Sequence, residues 1–323
     1  MTSTTSTDAL LEVRDLSVTV PGGATLVDRV SFEVAGGERL AIVGESGSGK
    51  SVTARALLCL DTDVTLDGSV RLGGQELTTL TESELTRIRG RRASMVFQDP
   101  LSALHPTRTI GAQVAEPLIV HGVGRREAKR RAATMLDELG IADAKRRMRA
   151  YPHEFSGGMR QRVAMAIALV GEPDLLIADE PTTALDVRVQ EQLFALLGRV
   201  AAERSLAVVL ITHDIGTVAG FADRVLVMYA GRVAEQGDVG SLLGAPRHPY
   251  AAALRAAVPR LDTRPGQLVA LPGTTPAPAD RPAGCAFHPR CPVALDVWRT
   301  SPPALQPVDD GEVACHLFRE VAA

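Results

Sequence analysis

A chain of 323 residues, 45% of them hydrophobic, is long enough to bury a full α/β core and keep length for a smaller second element. A formal net charge of -3 gives no general pull toward nucleic acid or anionic lipid. The longest wholly apolar runs, Val163 to Val170 and Leu206 to Ile211, fall far short of the roughly 18 to 20 residues that cross a bilayer. Nonspecific nucleic-acid binding is thereby disfavoured, and the chain is expected not to span a bilayer.

In chain order, Met1 to Asp8 is rich in Ser and Thr without a basic region or apolar stretch, and reads as a frayed tail of a cytoplasmic protein. Leu11 to Val20 and Val30 to Val34 read as short strands, punctuated by Pro21-Gly22-Gly23 and Gly36-Gly37. Arg39 to Val43 is a buried-type strand running into a glycine-rich loop, and from Lys50 the pattern is helical through Leu60. Between about Pro106 and Val170 the pattern turns mostly helical and arginine-rich, with segments over Arg125 to Leu139 and Met159 to Val170. Strand signals return at Leu175 to Ala178, Ala207 to Thr212 and Arg224 to Met228, around a helix over Val187 to Glu203, so a parallel α/β core resumes. After Gly240 prolines accumulate, Pro259 and Pro265 among them, and periodicity fades. The expected division is a tail at 1–8, an α/β domain at 9–240 with a helical part over about 100–172, and an appended element at 241–323.

The chemistry concentrates in three places. Gly44-Glu45-Ser46-Gly47-Ser48-Gly49-Lys50-Ser51, continuing to Val52, fits the phosphate-loop pattern GxxxxGK[ST] between a strand and a helix. Its backbone N–H groups and helix dipole suit phosphates, Lys50 suits the terminal phosphates and Ser51 suits Mg²⁺. Leu175 to Glu180 is an apolar strand ending in two carboxylates, with Asp179 placed for Mg²⁺ and Glu180 for the attacking water. Phe155-Ser156-Gly157-Gly158-Met159-Arg160-Gln161-Arg162 opens a helix with an anion site at its N-terminus; alone, such a sequence is an ordinary cap.

Taken together, these motifs resemble those of ABC ATPases, and the segment at Ser156 resembles the ABC signature. The resemblance spans about Leu11 to Gly240 and implies a P-loop NTPase core with an inserted helical subdomain. It implies that Ser156, Gly157 and Gly158 bind the γ-phosphate of nucleotide held by a second ATPase subunit, identical or homologous. Gln98 resembles the Q-loop glutamine, sensing Mg²⁺ and linking to the membrane subunits. Ala184-Leu185-Asp186 resembles the D-loop, with Asp186 communicating across the dimer, and His213 resembles the switch histidine that contacts the γ-phosphate.

His248-Pro249-Tyr250, Leu271-Pro272-Gly273, Gly284 to Pro292 and Val313 to His316 are similar to the C-terminal extension of oligopeptide/dipeptide importer ATPases. That resemblance implies ATP and Mg²⁺ as ligands, two transmembrane permease subunits and an extracytoplasmic solute-binding protein as partners, no nucleic acid, and a peripheral place on the cytoplasmic face of the cell membrane. Some relatives handle nickel or other small solutes. A soluble ABC ATPase acting on DNA or ribosomes is the rival reading, against which stands the lack of a second cassette or long coiled coil.

Two departures stand out. The aromatic that stacks on adenine would fall near Val20 or Pro21, and neither stacks. Relatives carry a fourth cysteine at the position of Trp298, so Cys285, Cys291 and Cys315 make an incomplete set for an iron–sulfur cluster or Zn²⁺, with His288 and His316 as candidates to complete it. The competing reading is three reduced thiols packed as small apolar residues, with Cys59 buried on the helix after the phosphate loop. The basic clusters Arg89 to Arg92, Arg125 to Arg131 and Lys145 to Arg149 read as solvated faces, with contact to membrane-subunit loops as the alternative.

Overall fold

The structure, a computed structural model, describes residues 9–99, 103–182, 185–258 and 271–318; the tail at 1–8, Ala184, Pro259 and Pro265 lie outside them. The chain opens with β1 (Ala9–Thr19) and β2 (Thr25–Ala35), then β3 (Arg39–Val43), α1 (Lys50–Ala56), β4 (Thr65–Leu72) and β5 (Gln75–Glu76). Next come α2 (Glu82–Ile88), β6 (Ala93–Val96), α3 (Ile110–Val120), α4 (Arg125–Glu138), α5 (Ala144–Arg147), α6 (Gly157–Leu169) and β7 (Leu175–Asp179). The remainder is α7 (Val187–Arg204), β8 (Ala207–Thr212), α8 (Ile215–Val218), β9 (Arg224–Tyr229), β10 (Arg232–Asp238), α9 (Val239–Gly244), α10 (Pro249–Ala256), β11 (Gln306–Val308) and β12 (Gly311–Val313). Contacts gather these elements into two compact units: Ala35–Glu38 and Thr79–Val209 with the start of β1, and Leu11–Val34, Arg39–Thr78 and the described residues from Leu210 onward.

In the first unit, β6 pairs in parallel with β7, Ala93 opposite Leu175 and Val96 opposite Ala178. All five β7 residues are buried, as a continuous apolar run covered on both faces must be. The α3 and α4 helices bury Val114, Ala115 and Leu118 on one side and Ala128, Ala132, Met135 and Leu136 on the other. Each buried leucine-sized side chain contributes about 1.5 to 3 kcal/mol through area removed from water. Burial takes in almost the whole circumference of α6, Val163 to Ala166 together with Ala168 and Leu169. That explains why an eight-residue apolar run there is a core helix and not a strand.

The second unit holds two sheets. One has the order β2-β1-β4-β5; in the other, β3 pairs in parallel with β9, and β9, β10, β12 and β11 follow as antiparallel neighbours. β2 is six residues longer than its sequence suggests because Arg29 takes a left-handed φ of 50°. This breaks the period-two pattern between the buried Val27 and Val30. A matching break at Asp15, φ 49°, interrupts β1, and two serine hydroxyls accept the displaced N–H groups, Ser31 from Asp15 at 2.8 Å and Ser17 from Arg29 at 3.0 Å. The helix expected to run through Leu60 stops at Ala56, where a turn through Leu57 and Leu58 leads to a left-handed Cys59, φ 49°. Cys59 therefore lies half-buried in that turn rather than buried on the helix.

The proline-rich residues after Gly240 are ordered by packing rather than by periodicity. Tyr250, Ala251, Cys285, Ala286, Phe287 and Trp298 join Val225, Val227 and Tyr229 of β9 in one apolar cluster. β12 adds a strand beside β10, with Glu235 opposite Val313 and Gly237 opposite Gly311.

Candidate functional site

In the second unit the glycine-rich loop leaves β3 at Gly44 and enters α1 at Lys50. A Cβ at Gly44 would lie 2.3 Å from the Met228 carbonyl oxygen and 2.7 Å from Ser48 Oγ, so only glycine lets the strand turn there. Gly47 and Gly49 have left-handed φ values of 80° and 100°. The loop is fastened at its far end, Gly231 N–H donating to the Ser48 carbonyl at 2.9 Å and Asp28 N–H to the Gly231 carbonyl at 2.8 Å. Lys50 is buried, and its ammonium donates to the carbonyl oxygens of Gly44 at 2.7 Å and Glu45 at 2.9 Å. The loop thus curls back over its own lysine, with Ser46 at its exposed crest and Ser51 and Val52 half-buried at the start of α1. Ser48 Oγ is fully buried within the loop and makes no hydrogen bond. A glycine-rich turn of backbone N–H groups curled around one cation suits an anionic phosphate chain.

His213 follows β8 in the same unit and is exposed. Next to it, Asp214 caps α8 by accepting from Gly216 N–H at 2.8 Å and from Thr217 Oγ at 2.6 Å.

In the first unit Asp179 ends β7 with its side chain buried. Glu180 sits one residue on in a left-handed turn, φ 44°, and accepts a hydrogen bond from Gln98 Nε2 at 3.0 Å. Ser156 caps α6, accepting from Met159 N–H at 3.4 Å, and leaves Gly157 and Gly158 as the first helical residues. Asp186 caps α7 in the same way, accepting from Val189 N–H at 3.0 Å. The two caps are neighbours: a Cβ at Gly158 would stand 2.9 Å from Val189 Cγ1, whereas one at Gly157 would meet nothing within 4 Å.

A family model described as ABC transporter matches residues 27–183, and one described as oligopeptide/dipeptide transporter, C-terminal region, matches residues 234–297. The oligopeptide transport ATP-binding protein OppD of Salmonella typhimurium is 48% identical over 92% of this chain and 90% of its own length. A putative peptide import ATP-binding protein of Brucella abortus is 50% identical over 90% of each. The chain belongs to the ABC transporter family. It carries the ATP-binding cassette, the ATPase of such systems, and its fold matches the solved dimeric post-hydrolysis state of the MJ0796 cassette bound to ADP and Pi, with a TM-score of 0.64 and 31% identity over 71% of this chain and 98% of that one.

Several polar groups around this ABC phosphate loop escape motif reading. Glu45, inside the loop, is held by Arg290 through two hydrogen bonds of 2.6 and 3.0 Å and by Thr275 Oγ at 3.2 Å. Tyr250 Oη accepts from the Glu45 N–H at 2.8 Å. Asp28, beside the loop, takes Arg232 at 2.7 Å and Arg281 at 3.4 Å. Burial works against the Asp28 charge, but the Arg232 hydrogen bond and the surrounding guanidinium groups hold its carboxyl below the ordinary range. Sequence separations of more than 200 residues leave no local signal for any of these contacts.

Cys285, Cys291 and Cys315 are free, and among the described residues no group of three or more His, Cys, Asp or Glu side chains could hold a metal ion. Burial, with a smaller contribution from the neighbouring thiols, pushes the Cys285 and Cys315 thiols up. The candidate histidines are engaged elsewhere. His288 Nδ1 lies 2.8 Å from the Cys285 carbonyl, and His316 Nε2 lies 2.8 Å from the Ser301 carbonyl while its ring stacks on Trp298 at 5.5 Å. Trp298, where the resemblance implies a fourth cysteine in relatives, is buried.

Proposed function

We propose that this chain is the ATP-hydrolysing subunit of an ABC importer of oligopeptides or dipeptides. The observation that carries the reading is the 48% identity to an oligopeptide transport ATP-binding protein, continuous through both the cassette and the C-terminal region. In the unit bearing the phosphate loop, backbone N–H groups from Gly44 to Val52 and the Lys50 ammonium take the phosphates, Ser51 offers its hydroxyl to Mg²⁺, and His213 contacts the γ-phosphate. In the other unit, Gln98 and Asp179 would serve as Mg²⁺ ligands, and Glu180, which accepts a hydrogen bond from Gln98, would orient and polarise the attacking water. Bound together with ATP, Mg²⁺ would supply charge neutralisation on the phosphates. Ser156, Gly157 and Gly158 present their α6 N-terminus to the nucleotide of a second ATPase subunit, and Asp186 answers across the same interface. Closure on ATP and reopening after hydrolysis follow from the higher affinity of the closed pair for ATP.

Among the described residues no helix is long and apolar enough to cross a membrane. Transport by this subunit therefore rests on two permease partners, with a solute-binding protein delivering peptide and the chain docked on the cytoplasmic face. Affinity purification from detergent-solubilised membranes tests this directly. Two permease chains in stoichiometric amounts, and ATPase activity raised by peptide-loaded binding protein, are expected; recovery with ribosomes or DNA, or stimulation by nickel alone, refutes the reading.

A further inference from the structure

Every polar handle of Glu45 is occupied, and most of the partners come from the C-terminal region. The carboxylate lies in the Arg290 fork with Thr275 beside it, the N–H donates to Tyr250 Oη, and the carbonyl accepts from the Lys50 ammonium. Arg290 is itself fixed. Its side chain is 6% exposed, its Nε donates to the Pro272 carbonyl at 2.7 Å, its Nη1 donates to Tyr229 Oη at 3.3 Å, and its guanidinium lies over the Tyr229 and Phe287 rings at 5.7 and 5.9 Å. The triplet His248-Pro249-Tyr250 sets the other anchor. His248 Nδ1 accepts from Tyr250 N–H at 3.0 Å to cap α10, Pro249 occupies the first helical turn, and Tyr250 is left with its ring fully buried and its hydroxyl on the loop.

We propose that Arg290 and Tyr250 are positioning residues for nucleotide: the C-terminal region grips the second residue of the phosphate loop, neutralises its carboxylate and fixes the carbonyl on which Lys50 rests. The inference rests on the phosphate loop being the ATP site. A loop built to receive several negative charges carries a carboxylate of its own, which repels the incoming triphosphate unless a cation cancels it. Arg290 is that cation, and its bidentate fork also fixes the orientation that a single-point ammonium leaves free. Loss of Arg290 then does two separable things: it leaves an uncancelled charge within the phosphate loop, which salt screens, and it loosens the backbone under Lys50, which salt does not restore.

The test titrates Mg·ATP against the full-length chain at low and high salt for the unmodified protein, Arg290→Met, Arg290→Lys and the double variant Glu45→Gln/Arg290→Met, with thermal unfolding measured alongside. Arg290→Met is expected to weaken ATP binding on the order of tenfold at low salt, less at high salt, and the double variant to recover most of the loss. Arg290→Lys is expected to fall between, and its titration decides the matter if Arg290→Met does not fold. ATP affinity within about twofold of the unmodified chain for the folded variants overturns the proposal. So does a loss that is equal at both salt concentrations and unrepaired by Glu45→Gln, which marks a purely structural contact. Failure of the unmodified chain to bind ATP overturns instead the assignment of the loop.

Discussion

Gln98 donates its side-chain amide to the Glu180 carboxylate at 3.0 Å, joining residues 82 positions apart on the β6 and β7 sides of one unit. The left-handed backbone at Glu180 aims the carboxylate, and the amide fixes its rotamer. Glu180→Gln keeps size and a hydrogen-bond acceptor but removes the carboxylate proposed to orient the water. Steady-state ATPase activity of the assembled complex should fall by a factor on the order of 10² or more while ATP binding persists; near-normal turnover would assign the proton to another group.

The paired caps of α6 and α7 predict an asymmetry between adjacent glycines. Gly158→Ala drives a methyl into Val189 Cγ1, 2.9 Å from the new atom, and should cost roughly 1 to 3 kcal/mol. Gly157→Ala meets open space and should leave stability nearly unchanged. Urea unfolding of both, with Gly158→Ala/Val189→Ala as the relieving double variant, reads the difference.

How much of this was legible in the sequence depends on range. The phosphate loop, the acidic end of β7 and the caps at Ser156 and Asp186 are local patterns, and the structure places each at the strand end or helix start their residue types require. The strand at β1 was legible at nearly its full length, whereas the long form of β2 was hidden by the break at Arg29, which shifts the alternation by one residue. The ordering of the proline-rich region was hidden for a different reason. Its stability comes from Tyr229, Tyr250 and Phe287 rings meeting at 4.6 to 5.4 Å, contacts between distant segments that no window of sequence contains.

The position expected to hold an adenine-stacking aromatic falls near Val20 or Pro21; Val20 is half-buried just after β1, its N–H donating to the Ala24 carbonyl at 3.0 Å. An aliphatic side chain supplies no ring face to the base. GTP should therefore compete noticeably with ATP, and Val20→Tyr should sharpen the preference for adenine. Competition titrations with the two nucleotides check both; strong ATP selectivity in the unmodified chain would place the stacking platform elsewhere.

His248 predicts a pH dependence of stability. Burial pushes its imidazole down to about 4, against a small opposing effect of a backbone hydrogen bond involving Ala314, so it is neutral and accepts from Tyr250 N–H. The unfolded chain, with an ordinary value near 6.5, binds the proton more readily. The contribution is therefore complete above about pH 6.5 and is lost as pH falls toward 4, by roughly 3 kcal/mol at most. Buried Glu235, which accepts from His248 N–H at 2.8 Å, is pushed up and acts with the opposite sign. His248→Asn keeps a capping oxygen and removes the titration. Its denaturation midpoints should vary less between pH 7 and pH 5 than those of the unmodified chain.

The grip on Glu45 also sets an order of events during synthesis. Tyr250 and Arg290 emerge from the ribosome 205 and 245 residues behind the loop they hold. The strand, loop and helix that carry the phosphate motif are made early, from local contacts, while the groups that still its backbone arrive near the end of translation. A nascent chain, or one cut short before residue 290, displays the entire GxxxxGK[ST] pattern with an uncancelled carboxylate inside it. Such fragments should be poor competitors for cellular ATP, and a partial subunit should not bring an idling ATPase to the membrane.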